Sequence, residues 1–133
     1  KFIQKIMKQI KQGNSQLFVV DDKLGTPTYT IDFAKNVKLL LEAEFWGLYN
    51  MVCAGQTSRL EVATELLKLI GRTKDVDIVP VKSSYFKSEY FSQRPPSERL
   101  LNKKLDLRGL NIMRDWKTCL KEYIEDYYCC YFD

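Results

Sequence analysis

The sequence predicts an α/β fold in one domain spanning residues 1–133, with short strands and about five helices. Three observations carry this. Apolar residues recur at three- and four-residue spacing in several segments, the mark of amphipathic helices. Short apolar runs of strand length lie between those segments. The length of 133 residues suffices for one compact core and hardly for two.

Phe2, Ile3, Ile6, Met7 and Ile10 share one helical face and predict a helix from Phe2 to about Gln12, stopped by Gly13 and Asn14. Leu17 to Val20 reads as a short buried strand. Asp21 to Pro27 is a loop broken by Gly25 and Pro27. Thr30 is the expected cap of a second helix, in which Phe33, Ala34, Val37, Leu40 and Leu41 keep helical spacing. Gly47 to Val52 reads as a second strand. Ser58 and Glu61 have capping-box spacing ahead of a third helix with Leu60, Ala63, Leu66, Leu67 and Ile70 inward and Gly71 as terminator. Val76 to Val81 is a third strand, placed at an edge by Pro80. Ser83 to Pro96 is a long polar and aromatic loop. A short helix over Asn102 to Leu107 and a last one from about Arg114 to Tyr128 close the fold, with Trp116, Leu120 and Ile124 in the core.

Composition narrows the chemistry. The chain is 45% hydrophobic and 29% charged, with a formal net charge of +4. The basic residues are dispersed, which suits an anionic small ligand better than nucleic acid. There is no histidine, so the commonest general base and metal ligand are missing. Cys53, Cys119, Cys129 and Cys130 form no CxxC pair and are read as reduced thiols in a cytoplasmic protein. No apolar run approaches the roughly 20 residues a bilayer-spanning helix needs. The six glycines are scattered, so no glycine-rich dinucleotide turn exists, and no Tyr is followed four residues later by Lys. A chain with neither is expected to bind rather than transform. Its helical opening without methionine reads as a boundary inside a longer protein.

The run Val19-Val20-Asp21-Asp22-Lys23-Leu24-Gly25-Thr26-Pro27-Thr28-Tyr29-Thr30-Ile31-Asp32-Phe33-Ala34 resembles the VVDDQxGxPTYxxDLA stretch of dTDP-4-dehydrorhamnose reductases, which are extended short-chain dehydrogenases. Gly47-Leu48-Tyr49-Asn50, Gly55-Gln56-Thr57-Ser58, Gln93-Arg94-Pro95 and Asp115 to Leu120 resemble further blocks of that family in its order. The resemblance covers Lys1 to about Ile124. It implies the small substrate-binding domain of such an enzyme, with the Rossmann core absent from this chain. It also implies an upstream domain carrying NADPH and the catalytic Tyr and Lys, no cofactor on this chain, and a nucleotide-sugar substrate. Lys23 stands where the family has Gln, Arg59-Leu60 where it has Trp-Tyr, and Leu101 where Asp is common. These departures leave the sugar and base open. They leave room for an epimerase or dehydratase of another nucleotide sugar, or for a non-catalytic regulatory homologue.

With the resemblance in place, Arg94 is the leading candidate for holding a diphosphate, because a guanidinium forms paired charge-assisted hydrogen bonds. The competing reading is an ordinary surface arginine beside a turn. Thr28 and Tyr29 either line the substrate cleft or serve structure, with Tyr29 packed under the next helix. Lys23 either meets a phosphate or balances Asp21 and Asp22. Arg59 either meets a phosphate at the start of the third helix or pairs with Glu61 or Glu65. Ser97 and Glu98 either bond a sugar hydroxyl or cap a turn. Tyr85, Phe86, Tyr90 and Phe91 either stack on a base or cover the core. The expected partners are the nucleotide sugar and the upstream Rossmann domain, with no nucleic acid and no membrane. Without that domain an exposed junction face, drawn from the first helix (Phe2, Ile6, Ile10) or the aromatic tail, would favour a homodimer.

Overall fold

A computed structural model describes residues 2–89 and 95–132. Its elements are α1 (Phe2–Lys11), β1 (Gln16–Val20), α2 (Thr30–Glu42), α3 (Arg59–Leu69), β2 (Asp77–Val81), a 3-10 helix (Ser83–Glu89), α4 (Lys103–Leu107) and α5 (Trp116–Tyr128). β1 and β2 pair in parallel, Gln16 opposite Asp77 through Val20 opposite Val81. None of the helices among the described residues is long and apolar enough to cross a membrane.

Helix α3 is the hub, packing against β1, β2, α1 and α5. Its start is fixed by the predicted capping box. Ser58 Oγ accepts from the Glu61 N–H at 3.1 Å, and the Glu61 carboxylate accepts from the Ser58 N–H at 2.8 Å. Val62, Ala63, Leu66 and Leu67 are buried, each large side chain contributing about 1.5–3 kcal/mol by leaving water. Gly71, at φ +68°, ends the helix as its sequence position foretells.

Four expectations are corrected. The stretch from Gly47 to Val52 is not a strand among the described residues. Both backbone groups of Val52 are instead satisfied by the Asn102 side chain, which donates to the carbonyl at 2.7 Å and accepts from the N–H at 3.0 Å. Thr30 is not a cap: it is the first helical residue, and Tyr29 occupies the cap position without a side-chain bond. Of the spaced apolar residues of helix α2 only Leu40 is buried. Asp32, Asn36 and Leu40 face inward, while Phe33 and Leu41 are 42% and 53% exposed. The first helix and the tail do not form the open face. Ile6, Met7 and Ile10 are in the core, and Tyr128, Tyr131 and Phe132 pack against it. Exposed apolar side chains lie instead on the outer side of α2 and in the following loop, where Trp46 is 71% and Leu48 88% exposed, and also at Leu101 and Leu107.

A buried polar network accounts for the inward face of α2. Asp32, only 2% exposed, accepts from Arg114 Nε and Nη2, both at 2.8 Å. Arg114 Nη1 continues to Glu122 on α5 at 2.6 Å. The Cys119 thiol donates to Asp32 at 3.3 Å, the Cys53 thiol to Cys119 sulfur at 3.8 Å, and the Tyr29 N–H to Cys53 sulfur at 3.3 Å. Asn36, fully buried, donates to the Leu110 carbonyl and accepts from the Ile112 N–H. These groups lie on the face of α2 whose residues recur every four positions, and a buried carboxylate must keep its cation.

The hydrogen bonds from Arg114 hold the Asp32 carboxyl below its ordinary pKa, against the opposing effect of burial. A depressed carboxylate contributes stability that is fully present above its unfolded value near 3.9 and is lost as pH falls through the folded value. Asp32→Asn should therefore cost about 2–4 kcal/mol at neutral pH, somewhat less than a fully buried pair because Arg114 reaches solvent. The gap from the unsubstituted protein should close as pH drops below about 4. Urea unfolding midpoints of both proteins across that range check it; a gap independent of pH would show that the pair does not set the cost.

Candidate functional site

Three loops that are distant in sequence come together around Leu24. Its N–H donates to the Pro96 carbonyl at 2.9 Å, and its carbonyl accepts from the Glu98 N–H at 2.8 Å. On the other side Gly25 N–H donates to the Thr57 carbonyl at 3.0 Å, and Thr26 Oγ1 donates to the Gly55 carbonyl at 2.8 Å. The β1–α2 loop is thus held between the start of α3 and the segment after Pro95. Gly55 is itself pinned, because Ala54 exchanges hydrogen bonds with Arg114 and Trp116.

An open cleft of about 360 Å³ runs along this junction. Lys23, Thr28 and Arg59 line it, as do Thr26 and Glu98, with Phe2, Ile3, Leu24, Pro27 and Val62 as its apolar wall. Three of the candidate residues are therefore brought together. Arg59 does not take the pairing with Glu61 or Glu65, whose carboxylates serve the Ser58 cap and Lys68. Its guanidinium lies 5.9 Å from the Phe2 ring centre.

Tyr29 and Ser97 are placed elsewhere. Tyr29 does not line the cleft: its ring is buried behind the loop against Tyr123, and burial, with Glu122 nearby, raises its pKa to about 12. Ser97 pairs with Leu24 through its backbone, and its hydroxyl accepts from Arg99, whose guanidinium also reaches Gln56 at 2.6 Å. Tyr85 stacks on Phe18 of β1 and Phe86 packs edge-on to Tyr85, so these two rings cover the sheet. Arg94, Tyr90 and Phe91 lie outside the described residues.

Asp21 and Asp22 brace the loop from behind rather than facing the cleft. Asp21 pairs with Lys82 at 3.0 Å, and Asp22 accepts from the Ser83 N–H and hydroxyl, both at 3.0 Å. The Asp22 pKa falls because these bonds and the Lys23 charge together outweigh burial. The Cys53 and Cys119 thiols are pushed upward by burial and stay protonated, unsuited to nucleophilic work. The described residues hold no group of three His, Cys, Asp or Glu placed for a metal ion.

Residues 1–129 match the RmlD substrate binding domain family. A dTDP-4-dehydrorhamnose reductase from Clostridium acetobutylicum superposes with a TM-score of 0.86 at 33% identity, over 94% of this chain and 43% of that one. The dTDP-4-dehydrorhamnose reductase of Mycobacterium tuberculosis (strain H37Rv) is 28% identical over 116 residues, 86% of this chain and 37% of the relative. The Bacillus anthracis dTDP-4-dehydrorhamnose reductase, solved in complex with NADP, shares the fold with a TM-score of 0.82 at 23% identity, over 96% of this chain and 43% of that one. The chain thus spans well under half the length of these relatives.

Gly55 is the tightest point of the junction. It holds φ +92°, and a Cβ there would sit 2.8 Å from Trp116 Cδ1 and 2.9 Å from Asp115 Oδ2. Gly55→Ala should cost about 2–3 kcal/mol from left-handed strain and the clash together. Denaturant unfolding reads this directly; a loss below about 0.5 kcal/mol would show that the junction gives way easily.

Proposed function

The chain belongs to the RmlD substrate binding domain family of dTDP-4-dehydrorhamnose reductases, and on that premise we propose that it is the C-terminal, sugar-nucleotide-binding part of an NADPH-dependent reductase of dTDP-4-dehydro-6-deoxy sugars in the cytoplasm. The observation that supports this most is the convergence of the Gly25–Tyr29, Gly55–Ser58 and Pro95–Glu98 segments on one cleft carrying Lys23, Thr28 and Arg59. Sequence blocks that resemble the family's are thus gathered at one place.

The residues of this chain do not fit a dinucleotide. The turn after β1 carries a single glycine and two carboxylates, Asp21 and Asp22, where a phosphate needs several close backbone N–H groups. The cofactor and the proton-transfer pair are therefore assigned to an upstream nucleotide-binding domain. The part of this chain is to bind and orient. Holding the nucleotide end fixes the sugar against the reacting groups and removes the entropy of bringing them together. The same domain is the proposed cover for the outward apolar stripe of α2, with Phe33, Leu41, Trp46 and Leu48.

Arg94, which is outside the described residues, is the proposed diphosphate contact. Losing a charged hydrogen-bonding partner costs about 1.5–3 kcal/mol, so Arg94→Ala in the intact protein should weaken dTDP-sugar binding at least tenfold, with Arg94→Lys recovering only part. Calorimetry with a dTDP-4-dehydro-6-deoxy sugar checks it. Equal affinity of the unsubstituted protein and Arg94→Ala would remove Arg94 from the site, and no binding by the unsubstituted protein would overturn the nucleotide-sugar reading.

A further inference from the structure

Cys53 and Cys119 are 66 positions apart in sequence, yet their sulfurs meet in the core at 3.8 Å. Both are free thiols. Their backbones are held in register without help from the sulfurs. Ala54 N–H donates to the Arg114 carbonyl at 2.9 Å, and the Ala54 carbonyl accepts from the Trp116 N–H at 3.1 Å. Cys119 lies in the first turn of α5, with its own N–H on the Asp115 carbonyl. The residue before Ala54 and that turn therefore stay side by side. A disulfide holds its sulfurs at about 2.05 Å, so the pair must close by about 1.8 Å, within reach of rotation about the two Cα–Cβ bonds.

The two thiols are not equivalent. Burial keeps both protonated at rest, so neither is a fast nucleophile. The Tyr29 N–H works against burial at Cys53, because its bond to that sulfur favours a thiolate. The Asp32 carboxylate adds to burial at Cys119, because it disfavours a second anion beside it. We propose that Cys53 and Cys119 form a reversible disulfide with a hydroperoxide as oxidant, a covalent latch between the segment ahead of α3 and α5. On local opening the Cys53 sulfur attacks one peroxide oxygen. An S–O bond forms, the O–O bond breaks, and the leaving oxygen takes up the thiol proton. The Cys119 sulfur then attacks the Cys53 sulfur. The S–S bond forms, the S–O bond breaks, and the hydroxyl leaves as water with the Cys119 proton. Two electrons pass from the sulfurs to the peroxide, and a thiol reductant reverses the change. Asp32 loses the Cys119 donor but keeps both bonds from Arg114, so the latch adds a tie without removing the ion pair. In a reducing compartment such a bond is transient, as a reversible switch requires.

The test treats the folded, intact protein with hydrogen peroxide, alkylates the remaining thiols and maps its peptides by mass spectrometry without reduction. A linked peptide pair joining Cys53 to Cys119, two hydrogens lighter than its separate halves and lost on adding dithiothreitol, is the expected result. Amide exchange in residues 52–56 and 116–120 should slow at least about tenfold in the linked form, since the cross-link restricts local opening. Cys119→Ser keeps a donor for Asp32 and should leave Cys53 as a sulfenic acid that dimedone traps, whereas Cys53→Ser should leave Cys119 alkylated. The mapping on the unsubstituted protein stands even if a variant does not fold. Recovery of Cys53 and Cys119 as alkylated thiols while the exposed Cys129 and Cys130 are oxidised would overturn the pairing, as would their linkage to other cysteines. A Cys53–Cys119 bond that leaves amide exchange unchanged would overturn the latch.

Discussion

The bond between Asp32 and Arg114 is the constraint on which the rest of this domain depends. It joins the first turn of α2 to the residue that leads into α5, across 82 positions of sequence. Without a cation, a carboxylate this deeply buried would cost several kcal/mol, so the two segments must stay together. Further contacts gather around it. Tyr29 N–H, Cys53 and Cys119 form a chain of weak bonds ending on Asp32, and Ala54 bonds to both neighbours of Asp115. The loop that forms one cleft wall ends at Tyr29, so its far end is fixed by this network. Its near end is fixed by β1, and its middle by the bonds around Leu24.

The same constraint turns apolar side chains of α2 outward. Because Asp32 and Asn36 share the inner face of α2 with Leu40, Phe33 and Leu41 point outward. The adjoining loop keeps Trp46 and Leu48 exposed, and Tyr49 is held from α4 by Lys104 and Arg108 over its ring. The chain covers under half the length of the relatives it matches.

Much of the fold was legible because the residues that decide it carry their own signals. Helices α1, α3 and α5 bury the apolar residues that mark them, and α3 declares its start through Ser58 and Glu61 and its stop through Gly71. Helix α2 misled because its buried face is polar, and the cation that makes this tolerable lies far along the chain. A carboxylate and an amide four residues apart, in line with Leu40, was the available clue. The Gly47–Val52 stretch has strand composition, but pairing is not a local property, and an asparagine side chain supplied the partner. At the candidate cleft, charge drew attention to Lys23 and Arg59, and Thr28 stood out only through the family-like run that holds it. The bonds of Leu24 and Gly25 that gather the loops are made by backbone groups, which no side-chain pattern announces. Tyr29 was ambiguous because the same ring chemistry serves a cleft or a core.

The central claim, that the buried pair holds the cleft-forming loop in place, is tested most directly by a double-mutant cycle on Asp32→Asn and Arg114→Gln, read as unfolding free energy at neutral pH. A pair acting as one unit predicts a coupling of about 1–3 kcal/mol, with the double variant scarcely less stable than the worse single one. Additive losses, with coupling below about 0.5 kcal/mol, would contradict the account and place the anchor of the loop elsewhere.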